Sequence, residues 1–436
     1  MSSARVLAVE ALLQVEFDGA YANILTNEIL SQNDLSSADA GMFTDLVNGT
    51  LRWERYLDTI INYCSSREIV DLSDEVRSVL RLSTYSYLIR GTQAHAIVNE
   101  GVETIRNLDG ERATSFVNAV LRRITERTAE EWRIYADQRV EDADQEAIMY
   151  SLPNWIVKVF QSQIPDQLER IALFEKQNQP PSITYLRRPG TETDTTGLAP
   201  GNWSPYALRE IDKKLSRQKL KTGELTVQDE GSQLTSWALS MALIEGPDLN
   251  WLDMTAGPGG KAVFLAAIAQ MRGAKLVANE IHPHRAELVR NVLRRSELNA
   301  EILIGDANFG AWAPKSFDRV LLDAPCTGLG ALRRRAESRW RRTEKDLADL
   351  VIGQRKLLRS AIAATRSGGI VGYVTCSLHP RETTEIVLEA AKTHKIEFVD
   401  VPRLLPGIPL APGPFLQLWP HRHDTDGMFM AILRVE

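Results

Sequence analysis

From Ser2 to about Thr128 the apolar residues recur three to seven positions apart, as in Phe43, Leu46, Val47, Leu51, Leu57, Ile61 and Cys64. That period predicts helices with one buried stripe, and no strand. Ser36 or Ser37 is placed to cap the helix through Phe43, and further helices are expected over 76–89, 97–105 and 116–124. Gly91 and the turn Leu108-Asp109-Gly110 punctuate them. At least five helices packed on one another make an α-bundle. Helical spacing continues to about Gln179, restarting at Leu152-Pro153-Asn154-Trp155 with Pro153 in a first turn. The texture then changes. Residues 180–186 read as a strand, 191–205 as a Thr-, Gly- and Pro-rich loop, and Lys213, Lys214, Arg217, Lys219 and Lys221 form a basic run.

After Leu225-Thr226-Val227-Gln228 strands and helices alternate, which predicts a parallel sheet with crossover helices. Strands are expected over 251–254, 275–279, 301–304, 319–322 and 370–375, and helices over 261–271, 283–295, 344–365 and 381–393. The β-rich run 428–435 suits an added antiparallel edge strand. Three domains follow: an all-α domain over 1–140, a small α+β connecting subdomain over 141–226, and a doubly wound α/β domain over 227–436. The 51 basic and 57 acidic side chains leave a net charge of -6, which excludes indiscriminate adhesion to nucleic acid but allows local basic patches. Three widely spaced cysteines form no disulfide framework and suit a reducing compartment. With Glu10, Glu16 and Asp18 interrupting the N-terminus and no membrane-length apolar run, a cytoplasmic protein is expected.

Candidate chemistry gathers at strand ends, where ligands of such sheets bind. The strand ending at Met254 runs into Thr255, Ala256, Gly257, Pro258, Gly259, Gly260 and Lys261, a turn whose glycines let a ligand approach the backbone and the next helix's N-terminus. Gly257, Gly259 and Ala262 fit G-x-G-x-x-A, with Glu280 placed for a ribose hydroxyl. The pattern is not a Walker loop, and it admits a nicotinamide or an adenosyl cofactor equally. Asp306 follows the third strand and Asp323 ends the fourth. Cys326 and Cys376 sit just beyond two strand ends, whereas Cys64 belongs to a helical stripe. Hydride transfer has no evident use for such a cysteine pair, and methyl transfer can use both.

Asp323-Ala324-Pro325-Cys326, Thr375-Cys376-Ser377 and the Gly-Pro-Gly-Gly-Lys loop together resemble the RNA 5-methylcytosine methyltransferases that use S-adenosylmethionine. Ala94-His95-Ala96-Ile97-Val98-Asn99-Glu100 and the run from Phe116 to Arg123 resemble the NusB-like domain of the bacterial Sun/Fmu (RsmB) branch, which methylates 16S ribosomal RNA. One departure stands out: the family commonly has Cys-Ala-Ala where this chain has Thr255-Ala256-Gly257. The resemblance implies a Rossmann-like, class I S-adenosylmethionine-dependent domain behind a NusB-like domain, in a monomer. It gives Cys376 the attack on cytosine C6, Asp323 the ring edge, and Cys326 assistance in releasing the enzyme from its product.

Because thiolate is the attacking species, an electropositive site with a lowered Cys376 pKa is expected, Lys261 contributing. The target base must be single-stranded or turned out of its helix. Arg333, Arg334, Arg335, Arg339, Arg341 and Arg342, with Trp340 among them and Lys345 just beyond, are the expected RNA contacts. His421-Arg422-His423-Asp424 is read as a loop with incidental histidines, so no metal is expected. Two alternatives stay open: a noncatalytic RNA-binding assembly factor, and a nicotinamide oxidoreductase that would leave both cysteine motifs unexplained.

Overall fold

The computed structural model describes residues 3–211 and 216–436, the side chains of 216–218 excepted. Lys213 and Lys214 of the basic run, and the side chain of Arg217, lie outside the described residues. By compactness the chain divides into two units rather than at 140 and 226. One comprises Met1–Pro180 with Leu332–Thr343, the other Pro181–Ala331 with Glu344–Glu436.

The described residues of the first unit are helical throughout: α1 Ala4–Phe17, α2 Ala22–Gln32, α3 Ser37–Cys64, α4 Asp74–Leu88, α5 Ala94–Asp109, α6 Thr114–Ile124, α7 Ala129–Asp137, α8 Gln145–Met149, α9 Asn154–Gln163 and α10 Gln167–Asn178. Ser36 caps α3, its hydroxyl accepting from the Asp39 amide at 3.1 Å, and the expected stripe from Phe43 to Cys64 is buried. Pro153 stands one position earlier than expected, at the cap of α9 rather than inside its first turn.

The basic segment 333–342 belongs to this unit, and two of its expected RNA contacts, Arg333 and Arg339, are buried rather than exposed. The Arg339 guanidinium donates to the carbonyls of Arg52 at 2.9 Å and Ser151 at 3.2 Å, and to the Asn178 side chain at 2.7 Å. Trp340 donates its indole N–H to the Leu51 carbonyl at 2.7 Å, and Arg341 reaches the carbonyls of Val15 and Gly19 at 2.6 and 3.0 Å. Arg52 donates in turn to the Arg333 carbonyl at 2.9 Å. Guanidinium, with five donors and no acceptor, suits such a cluster of backbone carbonyls. Burial, with Arg52 nearby, lowers the Arg339 pKa to about 9.

The second unit opens with a four-stranded antiparallel sheet made of β1 Thr184–Arg187, β2 Leu198–Pro200, β3 Ala207–Glu210 and β4 Leu225–Val227. Its main sheet holds β5 Asn250–Asp253, β6 Lys275–Glu280, β7 Glu301–Ile304, β8 Phe317–Asp323, β9 Thr365–Thr375, β10 Ile396–Val399, β11 Leu416–Gln417 and β12 Phe429–Val435. The order is β10-β12-β9-β8-β5-β6-β7, with β11 paired to β12. The stretch from β9 to β7 is parallel, and β12 runs antiparallel to β9. β12 is not the expected edge strand, because β10 pairs along its other side. Alternate residues of these strands face two separate cores. Trp251, Leu321, Val374 and Met430 join one with the helices Glu230–Met241 and Gly260–Met271, and Leu252, Leu322, Tyr373 and Phe429 join the other with Glu344–Ala364. That is the doubly wound α/β arrangement read from the alternation of strands and helices.

No helix of the described residues is long and apolar enough to cross a membrane. Replacing Arg339 by methionine leaves several buried carbonyls without a donor and should lower unfolding stability by about 3 kcal/mol, whereas R335Q at an exposed position should stay within about 0.5 kcal/mol of the parent. Urea denaturation followed by circular dichroism measures both. An unchanged midpoint for R339M would show that the bonds to Arg52, Ser151 and Asn178 hold nothing together.

Candidate active site

The strand order reverses between β5 and β8, which opens a crevice at their carboxyl ends. Register sets what lines it: Asp253 lies opposite Leu321, and Asp323 opposite Val374. The chain therefore leaves both β8 and β9 at the same edge, and the two loops bring their cysteines together. The Cys326 and Cys376 sulfurs are 3.4 Å apart, and Cys64 is buried in α3 of the other unit.

The glycine turn fills the floor. Thr255 donates its hydroxyl to the Asp323 carbonyl at 2.9 Å, and the Ala256 amide donates to the Asn279 carbonyl at 2.8 Å. A Cβ at Gly257 would collide with the Glu280 carboxylate, and Gly259 takes φ 113°, a left-handed value that a side chain would strain. Pro258 lies between them, and Gly260 starts the helix that carries Lys261. The Gly257 amide itself donates to Glu280 at 3.1 Å, so that N–H does not face a ligand. The buried Glu280 carboxylate also accepts from the His282 amide at 3.0 Å and pairs with Arg285 at 3.4 Å. Asp306 turns one oxygen back onto Asn308, accepting from its amide at 2.9 Å and from its side chain at 2.8 Å.

Lys261 donates to Asp323 at 2.7 Å. Burial lowers its pKa, yet the Asp323 charge and hydrogen bond outweigh that, with the Cys376 charge adding, and the ammonium is held above its usual pKa. The Cys326 thiol is pushed well above the thiol range by its hydrogen bond with Cys376, by burial and by the Cys376 and Glu382 charges. Lys261 is close enough to Cys376 to feel its charge. A cation beside one thiol and a carboxylate behind the other is a workable arrangement for covalent chemistry.

Several residues at the site escaped the sequence reading. Asp253 ends β5 as Asp323 ends β8, so the strand-end signal that flagged one should have flagged the other. It is buried, and burial plus the Asp323 charge raise it to about 7 against the pull of Lys261 and of the Thr255 amide. The Gln228 and Asn279 carbonyl oxygens are buried and unpartnered. Open acceptors around a glycine turn fit a ligand rich in amino and hydroxyl donors, as an amino-acid nucleoside is. His423 sits in a structural role, its Nδ1 accepting from the Trp419 amide at 2.9 Å and its Nε2 lying 3.1 Å from the Pro409 carbonyl. Among the described residues no group of three His, Cys, Asp or Glu side chains is arranged to hold a metal ion.

Comparison with known proteins agrees over both units. Residues 240–434 match the family model described as 16S rRNA methyltransferase RsmB/F, and residues 2–126 match that of the NusB family. A putative methyltransferase of Mycobacterium tuberculosis is 39% identical over 100% of this chain and 97% of its own length. A probable ribosomal RNA small subunit methyltransferase B of Bacillus subtilis is 27% identical, covering 99% of each. Among solved structures, the crystal structure of PH0851 shares the fold, with a TM-score of 0.81 at 20% identity over 100% of this chain and 99% of that one. The chain belongs to the RsmB/F methyltransferase family, with a NusB-family domain at its front and a Rossmann-like methyltransferase domain behind it.

Proposed function

We propose that this protein transfers a methyl group from S-adenosylmethionine to C5 of a cytidine in 16S ribosomal RNA, through a covalent adduct between Cys376 and C6. The observation that carries the reading is the 3.4 Å approach of the Cys326 and Cys376 sulfurs beside the Lys261–Asp323 pair. Cytosine C5 is a poor nucleophile until a thiolate adds at C6. S-adenosylmethionine, when bound, supplies an electrophilic methyl group on a sulfonium centre. The residues assigned to hold it are Thr255 to Lys261, with Glu280, Asp306 and Asp323. We add Asp253, whose buried carboxylate beside the glycine turn suits a cationic ligand.

Cys376 forms the C6–S bond, and Asp323 hydrogen-bonds the ring edge as charge develops there. Lys261 offsets that carboxylate and favours thiolate at Cys376. After C5 has taken the methyl group, the C5 proton is lost to a base, the C5–C6 double bond re-forms as the Cys376–C6 bond breaks to return the thiolate, and Cys326 assists that release. A nicotinamide dinucleotide fits less well. Its pyrophosphate would meet Asp253 and Asp323 at the glycine turn, and neither cysteine would have a task. An assembly factor without catalysis would have no need of the paired sulfurs. An rRNA substrate places the protein in the cytoplasm, and Arg335, exposed on the basic segment, is the arginine there best placed to meet a phosphate.

Bisulfite sequencing of 16S rRNA from cells with and without the gene should show one cytidine protected only when the gene is present. Identical maps would remove the assignment. With purified protein, C376A should lose turnover entirely and form no adduct with RNA, whereas C326A should lower turnover by about 100-fold or more while RNA–protein adduct accumulates on denaturing gels. Turnover by C376A would sink the covalent route.

A further inference from the structure

Glu382 follows β9 in a short 3-10 turn, Pro380–Glu382, and its side chain is completely buried. Among the described residues its hydrogen-bond partners are all neutral. One carboxylate oxygen accepts from the Thr327 amide at 2.8 Å and from the Gln354 side chain at 3.0 Å. The other accepts from the Ser377 hydroxyl at 2.5 Å and from the Thr327 hydroxyl. Thr327 directly follows Cys326, and Ser377 directly follows Cys376. One carboxylate therefore ties down the residue after each sulfur. Gln354 extends the tie by donating to the Pro325 carbonyl at 2.8 Å, and Tyr373 anchors the turn by donating to the Glu382 carbonyl at 2.9 Å.

We propose that Glu382 is a positioning residue for methyl transfer: its carboxylate clamps the two cysteine loops at the spacing that lets both sulfurs serve one pyrimidine, and sets an acidic group behind the Cys326 loop. The role rests on the cytosine reading given above. Four donors converge on this side chain, and only a carboxylate offers acceptors on both ends without a hydrogen of its own. A buried carboxylate without a cation is costly to hold ionised unless it is fully hydrogen-bonded, and here each oxygen has two donors. Its field then falls on Cys326, whose thiol it helps to raise along with the Cys376 contact and burial. A neutral side chain of the same shape would hold the loops and lose that field; a smaller one would lose both.

The test compares full-length E382Q, S377A and the parent. In E382Q the new amide oxygen keeps the Thr327 and Gln354 N–H bonds, and its NH2 faces two hydroxyls that can rotate to accept, so the fold should persist. Expected for E382Q are a fall in kcat of roughly 10-fold or more, KM for RNA and for S-adenosylmethionine unchanged, and a downward shift in the pH midpoint of Cys326 alkylation, read residue by residue by mass spectrometry. S377A removes one arm of the clamp and keeps the charge; it should lower kcat less and leave the Cys326 midpoint in place, which keeps the idea testable should E382Q fold poorly. A folded E382Q with parental kcat and an unmoved midpoint overturns the proposal, as does a fall in thermal midpoint without either change. C376A separates the two levels. Turnover by C376A overturns the underlying chemistry, while a dead C376A beside a fully active E382Q removes only the positioning role.

Discussion

The parallel pairing of β8 with β9 is the constraint from which the site follows. With Asp323 opposite Val374, each strand ends within a residue of the other, and the chain must turn out of the sheet at the same edge. Cys326 comes three residues after Asp323 and Cys376 one residue after Thr375, so two short loops leave side by side with a sulfur on each. Fifty positions separate them in sequence, so their meeting depends on the pairing of the two strands. Any slip in register would carry one loop away from the other and turn alternate residues toward the wrong core. The two cores forbid such a slip: Leu321 and Val374 belong to one, Leu322 and Tyr373 to the other, and all four are buried.

On that frame the electrostatics are deliberately unbalanced. Asp253, Asp323 and Glu280 line the glycine turn against Lys261 and Arg285. Burial first, and the Asp323 charge second, raise the Asp253 pKa to about 7. An acid raised in the folded state contributes stability below its unfolded pKa and loses it as pH rises through the folded value, so Asp253 weighs against stability as pH climbs to neutrality. Charge is uneven around the thiols too: the cation lies on the Cys376 side and the Glu382 carboxylate behind Cys326.

Much of this was legible in the residues. Period alone separated the helical front from the alternating rear, and the five parallel strands fell where apolar runs ended in glycine, an acid or cysteine. The glycine turn and both cysteine motifs were readable because their chemistry sits in consecutive residues. Glu382 was not, since nothing in a helical-looking run from Arg381 to Thr393 distinguishes an acid pointing inward from the acids pointing out. β10 and β11 were missed because runs of four and two residues are too short to read by themselves and owe their state to pairing with β12.

The arginine-rich segment shows why composition misled where pattern did not. Between Arg333 and Arg342 the sequence holds six arginines and one tryptophan, a texture that matches a nucleic-acid contact. Charge counts cannot tell whether the donors will meet phosphates or backbone carbonyls, because guanidinium serves both with the same geometry. The local clue lay in spacing: Ala336 and Arg339 are three apart and both are fully buried, so an inward face runs through the segment and Arg339 lies on it. An arginine on an inward face must find acceptors there, and the carbonyls of Arg52 and Ser151, with the side chain of Asn178, supply them. The lowered pKa of Arg339 still leaves it protonated at neutrality, so the donors it brings are charge-assisted and bind those acceptors more strongly than a neutral amide would.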